Sequence, residues 1–195
     1  MKPNVFLETI LCKEGVVHHL FYHQQRLDLT LQKFDLAAHY NLSELITPPS
    51  DAQYRCRFLY DGLHFNIEYH PYIQKKITSL RLIQDNTIEY SSKYANRNDL
   101  NTLFELREGC DDILIVKNEY LTDTTIANIA IFINNQWLTP KLPLLEGTTR
   151  SRLIDERKII PANISITDAL GASKIALMNA MTGFVEMENG IILQI

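Results

Sequence analysis

The chain has 195 residues, 46% hydrophobic and 22% charged, proportions that suit a globular protein with a sizeable core and exclude a disordered chain. A formal net charge of -4 and a pI near 5.9 leave little attraction for a phosphate backbone, which argues against nucleic-acid binding. No stretch approaches the roughly 18 apolar residues of a membrane span.

The opening Met1-Lys-Pro-Asn runs into Glu8, Lys13 and Glu14 without a long apolar block, so neither a signal peptide nor an anchor is expected. Cys12, Cys56 and Cys110 are an odd set with no C-x-x-C spacing. They suit reduced thiols in a cytoplasmic compartment, with no disulfide framework and no metal site.

In chain order, residues 5–12 read as a strand turned by Lys13-Glu14-Gly15. A helix starts near His19, with Leu20, Gln24, Leu27, Leu31 and Phe34 on one stripe, and fades near Asn41. Thr47-Pro-Pro-Ser50 breaks the chain. Residues 54–60, 63–69 and 77–83 are strand-like, with Asp61-Gly62 a turn between the first two. These elements make a small α+β lobe over residues 1–84.

The apolar pattern thins over 84–90, a linker that leads to Lys93. A short helix carries Leu100, Leu103 and Phe104, with Asn96 or Asn98 as N-cap and Gly109 as its stop. Residues 112–117 and 126–133 read as strands, and Asn134-Asn135 turns the second into 136–139. Asp123 falls between strands. Thr148 is placed to cap a helix reaching about Lys158, and 175–178, 183–187 and 191–194 read as short late strands. The second lobe, 85–195, is therefore larger, mixed and strand-rich.

Three features carry chemistry in this order. Lys93, in Tyr90-Ser-Ser-Lys-Tyr-Ala-Asn-Arg97, supplies an amine, with Arg97 nearby in sequence to favour its neutral form. Asp123, in Leu121-Thr-Asp-Thr-Thr-Ile-Ala-Asn128, supplies a carboxylate that could face a protonated ring nitrogen. Gly147-Thr-Thr-Arg150 opens a helix, and backbone N–H groups with two hydroxyls there suit a phosphate. Arg26 lies beside the apolar stripe of the first helix and could reach the same phosphate. Taken singly, each is also an ordinary loop lysine, capped turn or surface arginine. An amine, an acid and an anion turn are together what a pyridoxal phosphate (PLP) site requires.

Together these segments resemble the class IV aminotransferases, PLP enzymes of fold type IV related to D-amino-acid aminotransferase. Phe6-Leu-Glu-Thr-Ile10 is similar to the family's opening strand, His23-x-x-Arg26-Leu27 to its phosphate-arginine helix, and Lys93 to its Schiff-base lysine. Thr122-Asp-Thr-Thr-Ile-Ala-Asn128 resembles T-E-x-x-x-x-N, and Gly147-Thr-Thr-Arg150 resembles G-x-T-R. The resemblance implies the α+β fold of that family. It makes Lys93 catalytic and Arg26, Asp123, Ile126, Ala127, Thr148, Thr149 and Asn179 cofactor-binding. Two departures stand out: Asp123 where the family usually has glutamate, and a chain short for the family.

Lys93-x-x-Asn96-Arg97 and Met178-Asn-Ala-Met181 resemble aminodeoxychorismate lyase more than the aminotransferases. That implies conversion of 4-amino-4-deoxychorismate to p-aminobenzoate and pyruvate. Arg55 and Arg57, spaced by two on a strand, and Glu8 are the substrate-side candidates, with Thr9 and His23 beside them. A branched-chain or D-amino-acid aminotransferase, or a non-catalytic relative acting as a binding module, are the alternatives. Family resemblance further implies a homodimer acting on a small amino-acid-type molecule.

Overall fold

The computed structural model describes residues 4–187 and 193–194, and its contacts divide the chain into two units: Met1–Gln74 with Ser92–Asn96, and Lys75–Ser91 with Arg97–Ile195.

In the first unit, β1 (Phe6–Lys13) alternates buried and less buried residues from Glu8 onward, the pattern of a strand with one face on a core. Glu14 and Gly15 both take positive φ and turn it into the two-residue β2 (Val16–Val17), as the sequence predicts. Helix α1 (Leu20–Lys33) stops well short of Asn41. Asp35 adopts φ 52°, and Leu36 N donates to Leu31 O while Asp35 N donates to Gln32 O, the paired bonds that close a helix with a left-handed residue. Asn41 then caps the single turn α2 (Leu42–Leu45).

Strands β3 (Tyr54–Tyr60) and β4 (Phe65–Pro71) complete an antiparallel sheet ordered β2-β1-β3-β4. The turn between them is held by Asp61 Oδ1, which accepts from the N–H groups of Leu63 and His64. Phe6, Ile10, Cys12, Cys56, Phe58 and Tyr60 share one sheet face and pack with Leu27 and Leu31 of α1. Burying such side chains contributes roughly 1.5–3 kcal/mol each.

Residues 92–96 return to this sheet. Leu7 N donates to Lys93 O and Ala95 N to Val5 O, both at 2.8 Å, so Lys93 rides on the edge of β1.

The second unit begins earlier than the sequence suggests. Strand β5 (Leu80–Gln84) pairs in parallel with β6 (Asp112–Lys117), which moves 75–84 out of the first lobe. Between them, α3 (Asn98–Phe104) runs into a 3-10 turn ending before Gly109, which takes φ 85°. Its N-cap is Arg97 rather than an asparagine. Strand β7 (Tyr120–Thr124) follows, so Asp123 lies within a strand and not between strands. Then come β8 (Asn128–Ile133), β9 (Gln136–Pro140), α4 (Thr148–Asp155) and β10 (Ile160–Ala162). The N-cap of α4 is Gly147 and Thr148 is its first residue. The unit closes with α5 (Ile166–Gly171), whose Ser165 and Asp168 form a capping box, β11 (Lys174–Asn179), β12 (Gly183–Glu186) and β13 (Leu193–Gln194). Residues 191–192 of the expected last strand lie outside the described residues.

The sheet runs β10-β9-β8-β7-β6-β5-β13, with β11 joined to β8 and β12. Leu114, Leu121, Ile129, Ile131, Ile164, Ile175 and Leu177 build its main core. On the other face of β8, Ala130 packs with Met178 of β11 and Leu153 of α4, which seats α4 on the sheet. Among the described residues no helix is long and apolar enough to cross a membrane, and no cluster of metal-ligating side chains is present.

Candidate active site

The predicted site residues divide between the units. In the first, Lys93 is half-buried and its peptide is fixed to β1, as above. Glu8 and His23 are both buried, and His23 Nδ1 lies 2.6 Å from Glu8 Oε2. Arg26 donates from Nε to Glu8 Oε1 at 2.8 Å and from Nη2 to Glu8 Oε2 at 2.6 Å.

Burial alone would raise the Glu8 carboxyl, but the Arg26 charge and hydrogen bonds from His23 and Arg26 outweigh it and hold it at about 2. His23 is pushed down by burial against the pull of Glu8, and the charges of Arg26 and Lys93 add to the depression. A neutral imidazole donating from Nδ1 to an ionised Glu8 satisfies both observations.

Glu8, expected on the substrate side, is a buried counter-ion that braces Arg26. Its signal was in the sequence: it falls on the same strand face as Phe6, Ile10 and Cys12, the core face. Arg55 and Arg57 lie on the opposite face, where Arg57 Nη1 pairs with Glu68 Oε2 at 2.7 Å, and Thr9 lies opposite Arg57. The strand places these two arginines away from Glu8, not beside it.

In the second unit, Asp123 of β7 is paired across the sheet with Asn128 of β8. Asn128 Nδ2 donates to Asp123 Oδ1 at 2.7 Å and to Leu145 O at 2.8 Å, and Leu145 N donates to Asp123 Oδ2 at 2.9 Å. Burial raises the Asp123 carboxyl to about 7; the bonds from Asn128 and Leu145 and the charge of Arg150 oppose this without reversing it. A pyridine ring whose protonated nitrogen faced this carboxylate would supply the missing opposite charge, so the residue fits the cofactor chemically.

The turn from Asp123 to Asn128 is locked by Thr124 Oγ1, which accepts from the N–H groups of Ile126 and Ala127. Of these two residues, both expected to bind the cofactor, the Ile126 side chain is exposed and Ala127 is buried. Asp112, which the sequence did not single out, lies beneath this turn. It is buried, its carboxyl is raised by burial, and its Oδ1 accepts from Thr125 Oγ1 and Ile113 N. Arg97, near Lys93 in sequence, groups with the second unit, where its Nη2 donates to Thr125 O.

Gly147 offers no side chain to cap α4, so the first-turn N–H groups and the helix dipole suit an anion. Thr148 and Thr149 are buried at this end. Arg150 points elsewhere: its Nη2 donates to Pro140 O and its Nη1 pairs with Glu146. Asn179 closes the turn from β11 to β12, its Oδ1 accepting from Met181 N, Thr182 N and Thr182 Oγ1. Its acceptor is used in that turn.

Residues 62–189 match the amino-transferase class IV family model. An uncharacterised protein of Haemophilus influenzae is 35% identical over 182 residues, covering 90% of this chain and 97% of its own length. The crystal structure of a candidate 4-amino-4-deoxychorismate lyase from Haemophilus somnus superposes with a TM-score of 0.86 at 34% identity, covering 94% of this chain and 99% of that one. The PLP-bound form of a hypothetical aminotransferase from Mycobacterium tuberculosis shares the fold at 17% identity, with a TM-score of 0.82 over 98% of this chain and 82% of that one. By the family model that spans most of its length, this chain belongs to the class IV aminotransferases, which depend on pyridoxal 5'-phosphate.

Proposed function

We propose that the protein is a PLP-dependent lyase that converts 4-amino-4-deoxychorismate to p-aminobenzoate and pyruvate. The observation that carries the cofactor part is Asp123, a buried carboxylate raised to about 7 and met by neutral N–H donors. The choice of lyase rests on Lys93-x-x-Asn96-Arg97 and on the likeness to the Haemophilus somnus protein.

When bound, PLP supplies an aldehyde that condenses with a lysine amine and a ring that accepts electrons. Lys93 provides that amine and afterwards carries the proton moved on the substrate. Asp123 keeps the ring nitrogen protonated. The first turn of α4, with Thr148 and Thr149, suits the phosphate, and in the first unit Arg26, braced by Glu8, is the guanidinium offered for an anion. A second copy of the chain is expected to complete the substrate pocket.

The test begins with the visible spectrum of the protein loaded with PLP. A band that borohydride removes, with the cofactor then recovered on the Lys93 peptide and absent from Lys93→Ala, supports the cofactor reading; a colourless protein that refuses PLP overturns it. Release of p-aminobenzoate and pyruvate from 4-amino-4-deoxychorismate supports the lyase. Stoichiometric amino transfer to a keto acid, without that release, assigns an aminotransferase instead.

A further inference from the structure

Gly147 heads the anion-binding turn, where the familiar reason for glycine is backbone freedom or close approach of a phosphate. Its φ of -72° and ψ of 140° are open to any L-residue. The space explains it better. A Cβ built on Gly147 would meet Asn128 Oδ1 at 1.9 Å and Asn128 Cγ at 3.1 Å, and its third-nearest neighbour is Asn128 Nδ2 at 3.8 Å. All three atoms belong to one side chain.

That side chain cannot easily give way. Both Asn128 Nδ2 hydrogens are used, one on Asp123 Oδ1 and one on Leu145 O, so turning the amide over would set its oxygen against two other oxygens. Leu145 N holds the second Asp123 oxygen. Asp123, Asn128 and Leu145 thus form a closed ring of hydrogen bonds within the second unit, with Gly147 against Asn128.

We infer that Asn128 is the positioning residue that aims the Asp123 carboxylate at the cofactor ring, and that Gly147 is glycine to make room for Asn128. The inference rests on reading Asp123 and the turn at 147–149 as the two ends of a PLP site. Asn128 then registers the acid end against the phosphate end: a side chain added at 147 is felt at Asp123, although it touches neither carboxylate oxygen.

The test is a double-mutant cycle in the cofactor-free protein. Its variants are Asn128→Ala, Gly147→Ala and the pair together. Two readouts are followed: the thermal midpoint, and the pH midpoint of the Asp123 carboxyl, taken from the infrared carbonyl band that Asp123→Asn deletes. Asn128→Ala should move the Asp123 midpoint upward, since a bond that favours the ionised form is lost, and Gly147→Ala should move it the same way. In the Asn128→Ala background, Gly147→Ala should shift neither readout further.

Equal cost of Gly147→Ala in both backgrounds, or an Asp123 midpoint indifferent to Asn128→Ala, overturns the inference. If Gly147→Ala alone does not fold, the double variant decides: recovery of folding supports the inference and continued failure overturns it. Borohydride trapping of PLP on Lys93 in the unaltered protein reports separately on the cofactor reading, so failure of one is distinguishable from failure of the other.

Discussion

Glu8 in the first unit and Asp123 in the second are both buried carboxylates, and the two behave oppositely. Glu8 in the first is held at about 2 and Asp123 in the second is raised to about 7, although both are almost fully removed from water. Glu8 takes two bonds from a guanidinium and one from an imidazole; Asp123 takes one bond from an amide side chain and one from a backbone N–H. Burial penalises a charge in either place, and the charge of the donor decides the sign of the outcome. A carboxylate already answered by a cation is finished structure. One answered only by neutral donors is open to a cationic partner.

The comparison breaks most visibly if Arg26→Ala is made. Glu8 is then left buried with a neutral histidine, and a loss of about 3–5 kcal/mol in urea unfolding is expected; a loss under about 1 kcal/mol would mean the buried pair matters little. Next in size is the pH response of the cofactor-free protein. Asp123 has a raised carboxyl, so its contribution is present below its ordinary value of 3.8 and is lost as pH rises through about 7, by about 4 kcal/mol in all. Asp123→Asn should flatten that slope in denaturation measured from acid to neutral pH, and bound PLP should flatten it too.

Glu8 gives the mirror-image limb. Its carboxyl is depressed, so its contribution is present above 4.5 and lost as pH falls through about 2, by about 3 kcal/mol, and Glu8→Gln should remove that acid limb. The smallest effect belongs to an exposed pair. Arg57→Ala separates Arg57 from Glu68 on the outer face of the first sheet and should cost under about 1 kcal/mol, with urea unfolding again the measure.

Much of this was legible in the chain. The strand at Phe6, the helix after His19, the Asp61-Gly62 turn and the strand from Asp112 follow from local patterning, and the structure bears them out. The first domain boundary was not legible, because strand β5 declares its unit only through parallel pairing with β6, a long-range choice that its own residues do not encode. Helix α1 looked longer than it is because the apolar stripe continues through Phe34, whereas the stop depends on a left-handed aspartate, which is a rarer stop signal than glycine. At the candidate site, Lys93, Asp123 and the glycine-threonine turn are proposed from their order in the sequence. Their supports cannot be read that way: Glu8 reads as a loose acid until its strand face is known, and Asn128 acts through a turn geometry invisible in composition.

The return of residues 92–96 to the first sheet makes the two units interleaved in sequence. No single cut releases the first unit intact, because a fragment ending at Gln74 would lose the strip that Leu7 and Val5 hydrogen-bond. Lys93, the proposed amine, sits on that strip. Recombination that swapped the amino-terminal portion for another could not carry the lysine along with its supporting strand, so amine and scaffold are inherited together or not at all.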